Sequence, residues 1–325
     1  MFHRDVILND AGKAWDRYKN DPEHFYFPER ITVELTNRCN LQCFMCPRNK
    51  VEMQSGDMEL PLFKKIVDEA SLFLPVCLVP FFRGESLLNP QFLEMLSYAG
   101  EKGLKPIQCS TNVHFLNPEL TRKILDLDID FISFSIDMNS WRDYEGGRKN
   151  PGYEEVFKNI IFFLSEKKAR HKLLPEVQVS VVKTEQNADF IKDFVGFWRD
   201  KVDRVRIYYA HSLDGKLGHL RDDKEGGGGE RKPCLKMLTD MVIYWNGDVA
   251  LCNHDWHRDM FIGNVKDDSM ADIWQSELYN VVRKRQLYND LADFSPCDNC
   301  SHWQMYYKKN YLIGELYEQD KVSTY

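Results

Sequence analysis

The chain has 325 residues, of which 43% are hydrophobic and 13% aromatic, so a sizeable core is expected and wholesale disorder is excluded. At ~150 residues per domain, this length corresponds to about two domains. Its 43 basic and 50 acidic residues give a net charge of −7, so no overall positive field is available to attract nucleic acid. The apolar runs are shorter than the ~20 residues that span a bilayer, and charges interrupt the N-terminal segment where a secretory signal would be apolar. Cytoplasmic location without a membrane partner is therefore expected.

Helix and strand periodicities alternate through the first two thirds of the chain. Strands are predicted at residues 31–36, 76–82, 106–110, 130–136, 176–183 and 203–209. Helices are predicted at 59–71, 91–101, 117–126, 153–169 and 188–200. The strands are interpreted as apolar on both faces, which predicts an α/β fold with a parallel sheet covered by helices. Six such units favour a partial (β/α)6, TIM-like barrel over a closed eightfold one, with a doubly wound sheet as the alternative.

A second module is predicted after this alternation stops near residue 212. The charged and glycine-rich segment 221–233 is typical of a linker. Asn246-Gly247, between two short β-type runs, predicts a hairpin over 241–251. Helices are expected at 270–287 and 302–317. The predicted organisation is an N-terminal extension at 1–30, a barrel at 31–220, the linker at 221–233 and a small hairpin-plus-helix domain at 234–325.

Three cysteines follow the first predicted strand with a C-x3-C-x2-C spacing: Cys39, Cys43 and Cys46. Three thiolates this close together can hold three irons of a [4Fe–4S] cluster and leave the fourth iron open to a cofactor or substrate. A zinc site completed by a distant ligand such as His24, or three unrelated thiols, are alternatives that the spacing leaves open.

This segment resembles the radical S-adenosylmethionine (SAM) enzymes, which carry C-x3-C-x-aromatic-C after the first strand of a partial barrel. Met45 stands where an aromatic residue usually precedes the last cysteine, and the resemblance implies that its backbone faces adenine. The resemblance also implies that SAM chelates the open iron and is cleaved to a 5′-deoxyadenosyl radical. A low-potential partner such as flavodoxin or ferredoxin would supply the electron.

Residues at the carboxyl ends of later strands fit the same resemblance. Arg83-Gly84-Glu85-Ser86 resembles the family's G-G-E-P, in which the Glu backbone and its neighbours receive the SAM ammonium group, although two of the four residues differ. The resemblance implies ribose and carboxylate contacts from Asn112, Ser133, Ser135, Asp137 and Arg148. An ordinary loop carboxylate at Glu85 and a solvated arginine at Arg148 are the alternatives.

A second set of cysteines, with C-x17-C-x44-C-x2-C spacing, comprises Cys234, Cys252, Cys297 and Cys300. Four thiolates can fully ligate either a zinc ion or a second [4Fe–4S] cluster. Together with the hairpin, the set resembles the SPASM and twitch auxiliary-cluster modules in a one-cluster form. Within these it resembles the 2-deoxy-scyllo-inosamine dehydrogenase-like enzymes that modify aminocyclitols and sugars. The two resemblances together imply two [4Fe–4S] clusters and SAM.

Catalytic candidates lie close to these motifs. Asp255, three residues after Cys252, could be a base, although a carboxylate that satisfies loop N–H groups is the favoured interpretation. Tyr208 and His211, at the end of the sixth strand, are expected to face the barrel mouth. Cys109, and with a weaker claim Cys77, could return a hydrogen atom to a substrate radical. A buried free cysteine more often acts as a small hydrophobe.

The predicted function is hydrogen abstraction from a small polar substrate, with oxidation of a carbohydrate or aminocyclitol carbon in natural-product or polysaccharide biosynthesis. A fully ligated auxiliary cluster could accept the electron. Epimerisation with a cysteine hydrogen donor is the first alternative. Peptide (RiPP) maturation is the second, disfavoured because the 30 residues before the first strand are too few for a leader-binding domain. A non-catalytic iron–sulfur scaffold is the alternative from another class.

Overall fold

A computed structural model describes residues 11–43, 45–136, 152–184, 187–209, 231–256, 260–298, 300, 302–307 and 316–318. Six parallel strands follow one another in chain order: β1 (Arg30–Val33), β2 (Cys77–Val79), β3 (Gln108–Thr111), β4 (Phe131–Ser135), β5 (Glu176–Lys183) and β6 (Arg204–Tyr209). A parallel bridge between Leu78 and Ile107 joins β2 to β3. The predicted partial (β/α)6 barrel is thereby confirmed.

Helices separate the strands as the periodicity predicts. After α1 (Ala11–Asn20), which the sequence analysis did not predict, they are α2 (Leu60–Ala70), α3 (Phe92–Glu101), α4 (Pro118–Asp126), α5 (Tyr153–Ala169) and α6 (Ile191–Trp198). The start of α4 is set by Asn117, whose side chain accepts a hydrogen bond from the Leu120 N–H at 2.9 Å, with proline in the first turn. The strand-facing side chains of these helices form one apolar core with the sheet.

The two faces of the barrel sheet differ in chemistry. On β5, Val177, Val179 and Val181 belong to the core under the helices, whereas Gln178 and Ser180 lie on the opposite, inner face. The prediction of strands that are apolar on both faces is therefore wrong for β5. Alternation along β4, β5 and β6 gives this part of the barrel an apolar face under the helices and a largely polar lining.

The C-terminal part continues the barrel sheet. α7 (Lys236–Thr239) leads into β7 (Asp240–Ile243), which pairs in parallel with β1 and antiparallel with β8 (Asp248–Ala250). β9 (Phe261–Asn264) then pairs with β8. The predicted hairpin at Asn246-Gly247 is present: Gly247 has φ +90°, and a Cβ there would lie 2.6 Å from the Asn264 side-chain oxygen. Only glycine fits this turn.

Two predicted C-terminal helices differ from the structure. The single helix expected over 270–287 is two helices, α8 (Met270–Trp274) and α9 (Glu277–Tyr288), because Ser276 caps α9 by accepting a hydrogen bond from the Tyr279 N–H. Where a helix is expected over 302–317, the structure has a 3₁₀ segment at His302–Tyr306. The end of the predicted range overlaps β10 (Leu316–Glu318), which pairs antiparallel with β6. Long-range strand pairing here overrides the local helical pattern.

The C-terminal part also packs against the outside of the barrel. Lys65 on α2 donates to the Val265 carbonyl at 2.6 Å, and Glu69 accepts from the Ala271 N–H at 2.9 Å. Trp274 donates to the carbonyl of Phe25 at 2.9 Å, which ties the N-terminal segment to α8. Among the described residues, none of the helices combines the length and the hydropathy needed to cross a membrane.

Candidate functional site

The first cysteine set lies on the loop after β1, at the carboxyl end of that strand. The loop turns between Cys43 and Cys46, where the Cys46 N–H donates to the Cys43 carbonyl at 3.0 Å. The Leu41 N–H lies 3.4 Å from the Cys39 sulfur. Met45 lies half-buried inside the turn. Closely spaced thiols with an N–H donor beside one sulfur suit thiolate ligands, so this loop fits a [4Fe–4S] cluster.

Gly84 brings the loop after β2 against the cysteine loop. A Cβ at this position would lie 2.3 Å from the carbonyl oxygen of Thr36 and 2.6 Å from that of Arg38, the residue before Cys39. A side chain is thus excluded by contact with backbone that has no room to move. The Glu85 N–H also donates to the Arg38 carbonyl, at 2.8 Å.

The Glu85 carboxylate joins the ends of β2 and β3. One oxygen accepts from the Thr111 hydroxyl at 2.8 Å, and the other accepts from the Asn112 N–H at 2.7 Å. Glu85 is buried, so its side chain is committed to organising the loop, in line with the loop-carboxylate alternative. The Ser86 hydroxyl donates to the carbonyl of Pro80 at 2.8 Å. Contacts of this loop with SAM stay predictions.

Asn112 connects β3 to the cysteine loop. Its side-chain amide donates to Asn40 at 2.8 Å and lies 3.8 Å from the Cys39 sulfur. The next residue, Val113, is fully buried and has φ +74°, an uncommon conformation for a β-branched residue that costs ~1–3 kcal/mol. Strain of this kind concentrates at functional sites, where the surrounding structure fixes it.

Polar side chains from β4, β5 and β6 meet inside the barrel. Gln178 donates to the Ser133 hydroxyl at 2.9 Å and lies 3.5 Å from the Tyr208 hydroxyl. Ser180 lies 3.3 Å from Ser133, and its register partner on β4 is Ser135. Gln178 and Ser180 were missed by the sequence analysis, although polar residues alternate along β5. We call Ser133, Ser135, Gln178, Ser180 and Tyr208 the inner polar set.

A buried ion pair lies between the barrel and the hairpin. Arg83 donates to both Glu34 carboxylate oxygens, at 2.6 and 2.7 Å, and its guanidinium stacks 3.8 Å from the Tyr244 ring centroid. Burial opposes the charge on Arg83, but the hydrogen bonds and charge of Glu34 outweigh it and raise the pKa of Arg83. Tyr244 in turn donates to the Asp255 carbonyl at 2.9 Å. Through Tyr244, the Arg83–Glu34 pair thus links the loop after β2 to Asp255, three residues after Cys252.

The second cysteine set is gathered around α9. Burial raises the pKa of the Cys234 and Cys297 thiols to about 12, and other cysteines of the set add to the rise. Burial raises the pKa of the Cys252 thiol as well, and Cys297 and Cys300 add to that rise. Gln286 donates to the Cys297 sulfur at 3.3 Å, and the His254 N–H lies 3.4 Å from the Cys252 sulfur. Four thiols with N–H donors beside two of their sulfurs fit a cluster that is ligated by cysteines alone.

The candidate catalytic residues occupy different surroundings. Tyr208 lies in the inner polar set, whereas Asp255 is buried with a carboxylate oxygen 3.4 Å from the Met260 N–H, a loop-organising position. Cys109 lies in the core under the helices, on the opposite face from Gln108, and burial raises its pKa. Alternation along β3 thus turns Cys109 outward, away from the polar lining of the barrel. Cys77 begins β2, with its sulfur 3.9 Å from Arg30.

Three predicted site residues, Asp137, Arg148 and His211, lie outside the described residues.

Two families match the sequence. The radical SAM superfamily matches residues 33–168, and the SPASM iron–sulfur cluster-binding domain matches residues 234–320. The chain carries a radical SAM domain followed by a SPASM domain. It is therefore a radical SAM enzyme whose cofactors are SAM and [4Fe–4S] clusters, as predicted. Because the SPASM domain binds iron–sulfur clusters, the match favours a cluster over zinc in the C-terminal part.

Two curated relatives match over most of their length. The chain is 27% identical over 316 residues to the tungsten-containing aldehyde ferredoxin oxidoreductase cofactor-modifying protein of Pyrococcus furiosus, covering 83% of this chain and 88% of the relative. It is 21% identical over 287 residues to the S-adenosyl-L-methionine-dependent 2-deoxy-scyllo-inosamine dehydrogenase of Niallia circulans, covering 86% and 96%.

Solved structures share the fold. The crystal structure of BtrN in complex with AdoMet and 2-DOIA superposes with a TM-score of 0.58 at 18% identity, covering 85% of this chain and 93% of that one. Streptococcus suis SuiB bound to the precursor peptide SuiA gives a TM-score of 0.62 at 14% identity, covering 82% and 70%. Both likenesses support the architecture of a radical SAM barrel with its C-terminal domain.

Proposed function

We propose that this radical SAM enzyme oxidises a carbon of a small polar substrate, an aminocyclitol or a carbohydrate. The observation that carries the proposal is the inner polar set. It lines the barrel with hydroxyl and amide groups, whereas an apolar substrate would need an apolar lining. Gln178 is buried between Ser133 and Tyr208 and can both donate and accept, so it suits substrate hydroxyl or amino groups.

In this proposal the first cysteine set holds one cluster and the surrounding loops hold SAM. Cys39, Cys43 and Cys46 are the ligands, and Met45 provides its backbone. The remaining SAM contacts are assigned to Gly84, Glu85, Ser86, Asn112, Ser133, Ser135, Asp137 and Arg148. Asn112 supports this assignment, because its amide already reaches the Cys39 sulfur. When bound, this cluster and SAM supply a 5′-deoxyadenosyl radical, with a low-potential electron donor as partner. A cytoplasmic location belongs to the same proposal.

The second cysteine set, Cys234, Cys252, Cys297 and Cys300, is proposed to hold one auxiliary cluster. All four possible ligands are then cysteines, and the group supplies an electron acceptor when bound. Oxidation also needs a proton acceptor near the substrate. Tyr208 and His211 are the proposed candidates, since the Asp255 carboxylate is turned toward a loop N–H.

Oxidation is favoured over epimerisation by the positions of the two strand cysteines. A hydrogen donor must face the substrate, but Cys109 packs under the helices. Cys77 is at the first residue of β2, the end of the strand remote from the cysteine loop. The dehydrogenase relative from Niallia circulans, matched over 96% of its length, supports the same choice.

A second candidate substrate is an enzyme cofactor. It is favoured by the Pyrococcus furiosus relative, which is a cofactor-modifying protein of an aldehyde ferredoxin oxidoreductase and shares 27% identity. A peptide substrate has weaker support, because the SuiB likeness is one of fold at 14% identity.

The test combines anaerobic reconstitution with a panel of aminocyclitols, amino sugars and peptides. We expect 5′-deoxyadenosine from the wild type, and a product two mass units lighter than an aminocyclitol or sugar. Replacing Cys39, Cys43 and Cys46 with Ala should halve the iron and abolish SAM cleavage. Cys252→Ala should keep SAM cleavage but lose the oxidised product, and Cys77→Ser is the matched thiol control. A stereoinverted product carrying solvent deuterium, lost in Cys77→Ser, would instead establish epimerisation.

A further inference from the structure

The side chain of Gln286 joins two cysteines of the second set. On α9, it is 2% exposed, its carbonyl oxygen accepts from the Cys234 N–H at 3.0 Å, and its amide nitrogen donates to the Cys297 sulfur at 3.3 Å. Because the Cys234 N–H is a donor, it must face the oxygen of the amide, and the NH2 group is thereby turned toward the sulfur. The orientation of this amide is fixed by its two partners.

The position of α9 is fixed by Arg283, which lies one turn before Gln286. Arg283 is buried and donates to the Met237 carbonyl at 3.0 Å and to the Trp274 carbonyl at 2.8 Å. These bonds fasten α9 to α7 and α8, the helices on either side of the module's strands. Gln286 therefore meets Cys297 from a fixed backbone, and its burial keeps water from competing for the sulfur.

We propose that Gln286 is a positioning residue that raises the reduction potential of the auxiliary cluster through its hydrogen bond to the Cys297 sulfur. A donor at a ligand sulfur withdraws electron density and stabilises the reduced, more negative cluster. Lys236 and Arg231 add positive charge near Cys234 and Cys297, respectively. A higher potential makes the cluster a better electron acceptor. This inference rests on the proposed assignment of the second cysteine set as the ligands of the auxiliary cluster. It adds Gln286 as the residue that adjusts the reduction potential of that cluster.

Two variants separate hydrogen bonding from folding. Gln286→Leu removes both bonds at similar volume. Gln286→Glu keeps an acceptor for the Cys234 N–H but replaces the donor with a carboxylate oxygen. Gln275→Leu is the matched control, because that amide donates to the carbonyls of Phe25 and Tyr26 and touches no cysteine among its described contacts.

The measurement is an anaerobic redox titration followed by electron paramagnetic resonance. It uses full-length protein in which Cys39, Cys43 and Cys46 are Ala, so that the auxiliary cluster alone gives the signal. We expect Gln286→Leu to lower the ratio of reduced to oxidised cluster roughly tenfold at a fixed potential, a shift of about 59 mV for one electron. Gln286→Glu should shift it further, and Gln275→Leu should not shift it.

Wild-type potentials in Gln286→Glu, or an equal shift in Gln275→Leu, would overturn the inference. If Gln286→Leu fails to retain iron, the titration of Gln286→Glu decides. The outcome is independent of the substrate, because a potential can be measured whether or not the wild type forms an oxidised product. Failure of the proposed reaction is seen in the product assay alone.

Discussion

The buried pair of Arg83 and Glu34 makes a quantitative prediction about the contact between the barrel and the hairpin. The two side chains are 2% and 0% exposed, and they share two hydrogen bonds. Arg83→Met leaves a buried carboxylate whose remaining described contact is the Trp245 N–H at 3.4 Å. Breaking a buried pair on one side costs ~3–5 kcal/mol.

Hydrogen–deuterium exchange of the reconstituted enzyme measures this cost locally. The Glu34 N–H donates to the Ile243 carbonyl at 2.8 Å, across the β1–β7 pairing. If opening of this contact becomes easier by ~3 kcal/mol or more, exchange in peptides from β1 and β7 should accelerate ~10²-fold or more, while β5 is unchanged.

Two further variants test the reasoning. Arg83→Met combined with Glu34→Gln removes both charges and should recover part of the loss. Arg170→Met breaks partly exposed contacts with Asp126 and Glu166 and should cost ~1 kcal/mol or less. Wild-type exchange rates in Arg83→Met, or less protection in the double variant than in the single one, would contradict this prediction.

Three more outcomes are expected. Gly84→Ala places a Cβ 2.3 Å from the Thr36 carbonyl oxygen, so loss of the first cluster should lower the iron content toward half. Gly196→Ala is the control, because a Cβ there has no atom within 4 Å and the iron content should not change. Equal iron content in the two variants would contradict this prediction. Cys109→Ser should keep SAM cleavage and product formation, since the side chain lies under the helices; loss of product with intact iron would show that it acts in the reaction. Chelation of the clusters should expose residues 234–305 to protease, because metal-binding free energy becomes folding free energy in such modules, and continued protection would be the contrary result.

The sequence predicted the barrel because its signals are local. Strand and helix periods alternate, and caps such as Asn117 occur at the predicted boundary. The pairing of β7 with β1 joins segments far apart in the chain, and no local pattern encodes such a partner. The same holds for β10, because its pairing with β6 outweighs the helical pattern of its own sequence.

The two cysteine sets stand out in the sequence because closely spaced thiols are a strong and compact signal. The polar lining was only partly found, although Gln178 and Ser180 alternate with valines along β5. The same alternation on β3 would have turned Cys109 away from the mouth, because Gln108 and Ser110 flank it. Arg83 and Gln286 could not be assigned from sequence, since their roles depend on partners distant in the chain.

The pairing of β7 with β1 and of β10 with β6 bears on how the protein is made. An open barrel leaves unpaired backbone along its first and last strands, and such strand edges invite edge-to-edge aggregation. Here both edges are covered by strands that follow the six barrel strands in the chain. During synthesis the barrel therefore carries two exposed edges until β7 and β10 emerge from the ribosome, and exposed strand edges are prone to aggregation. For the same reason, a barrel excised at its apparent domain boundary should be insoluble, and grafting a new substrate site onto this scaffold must retain β7 and β10.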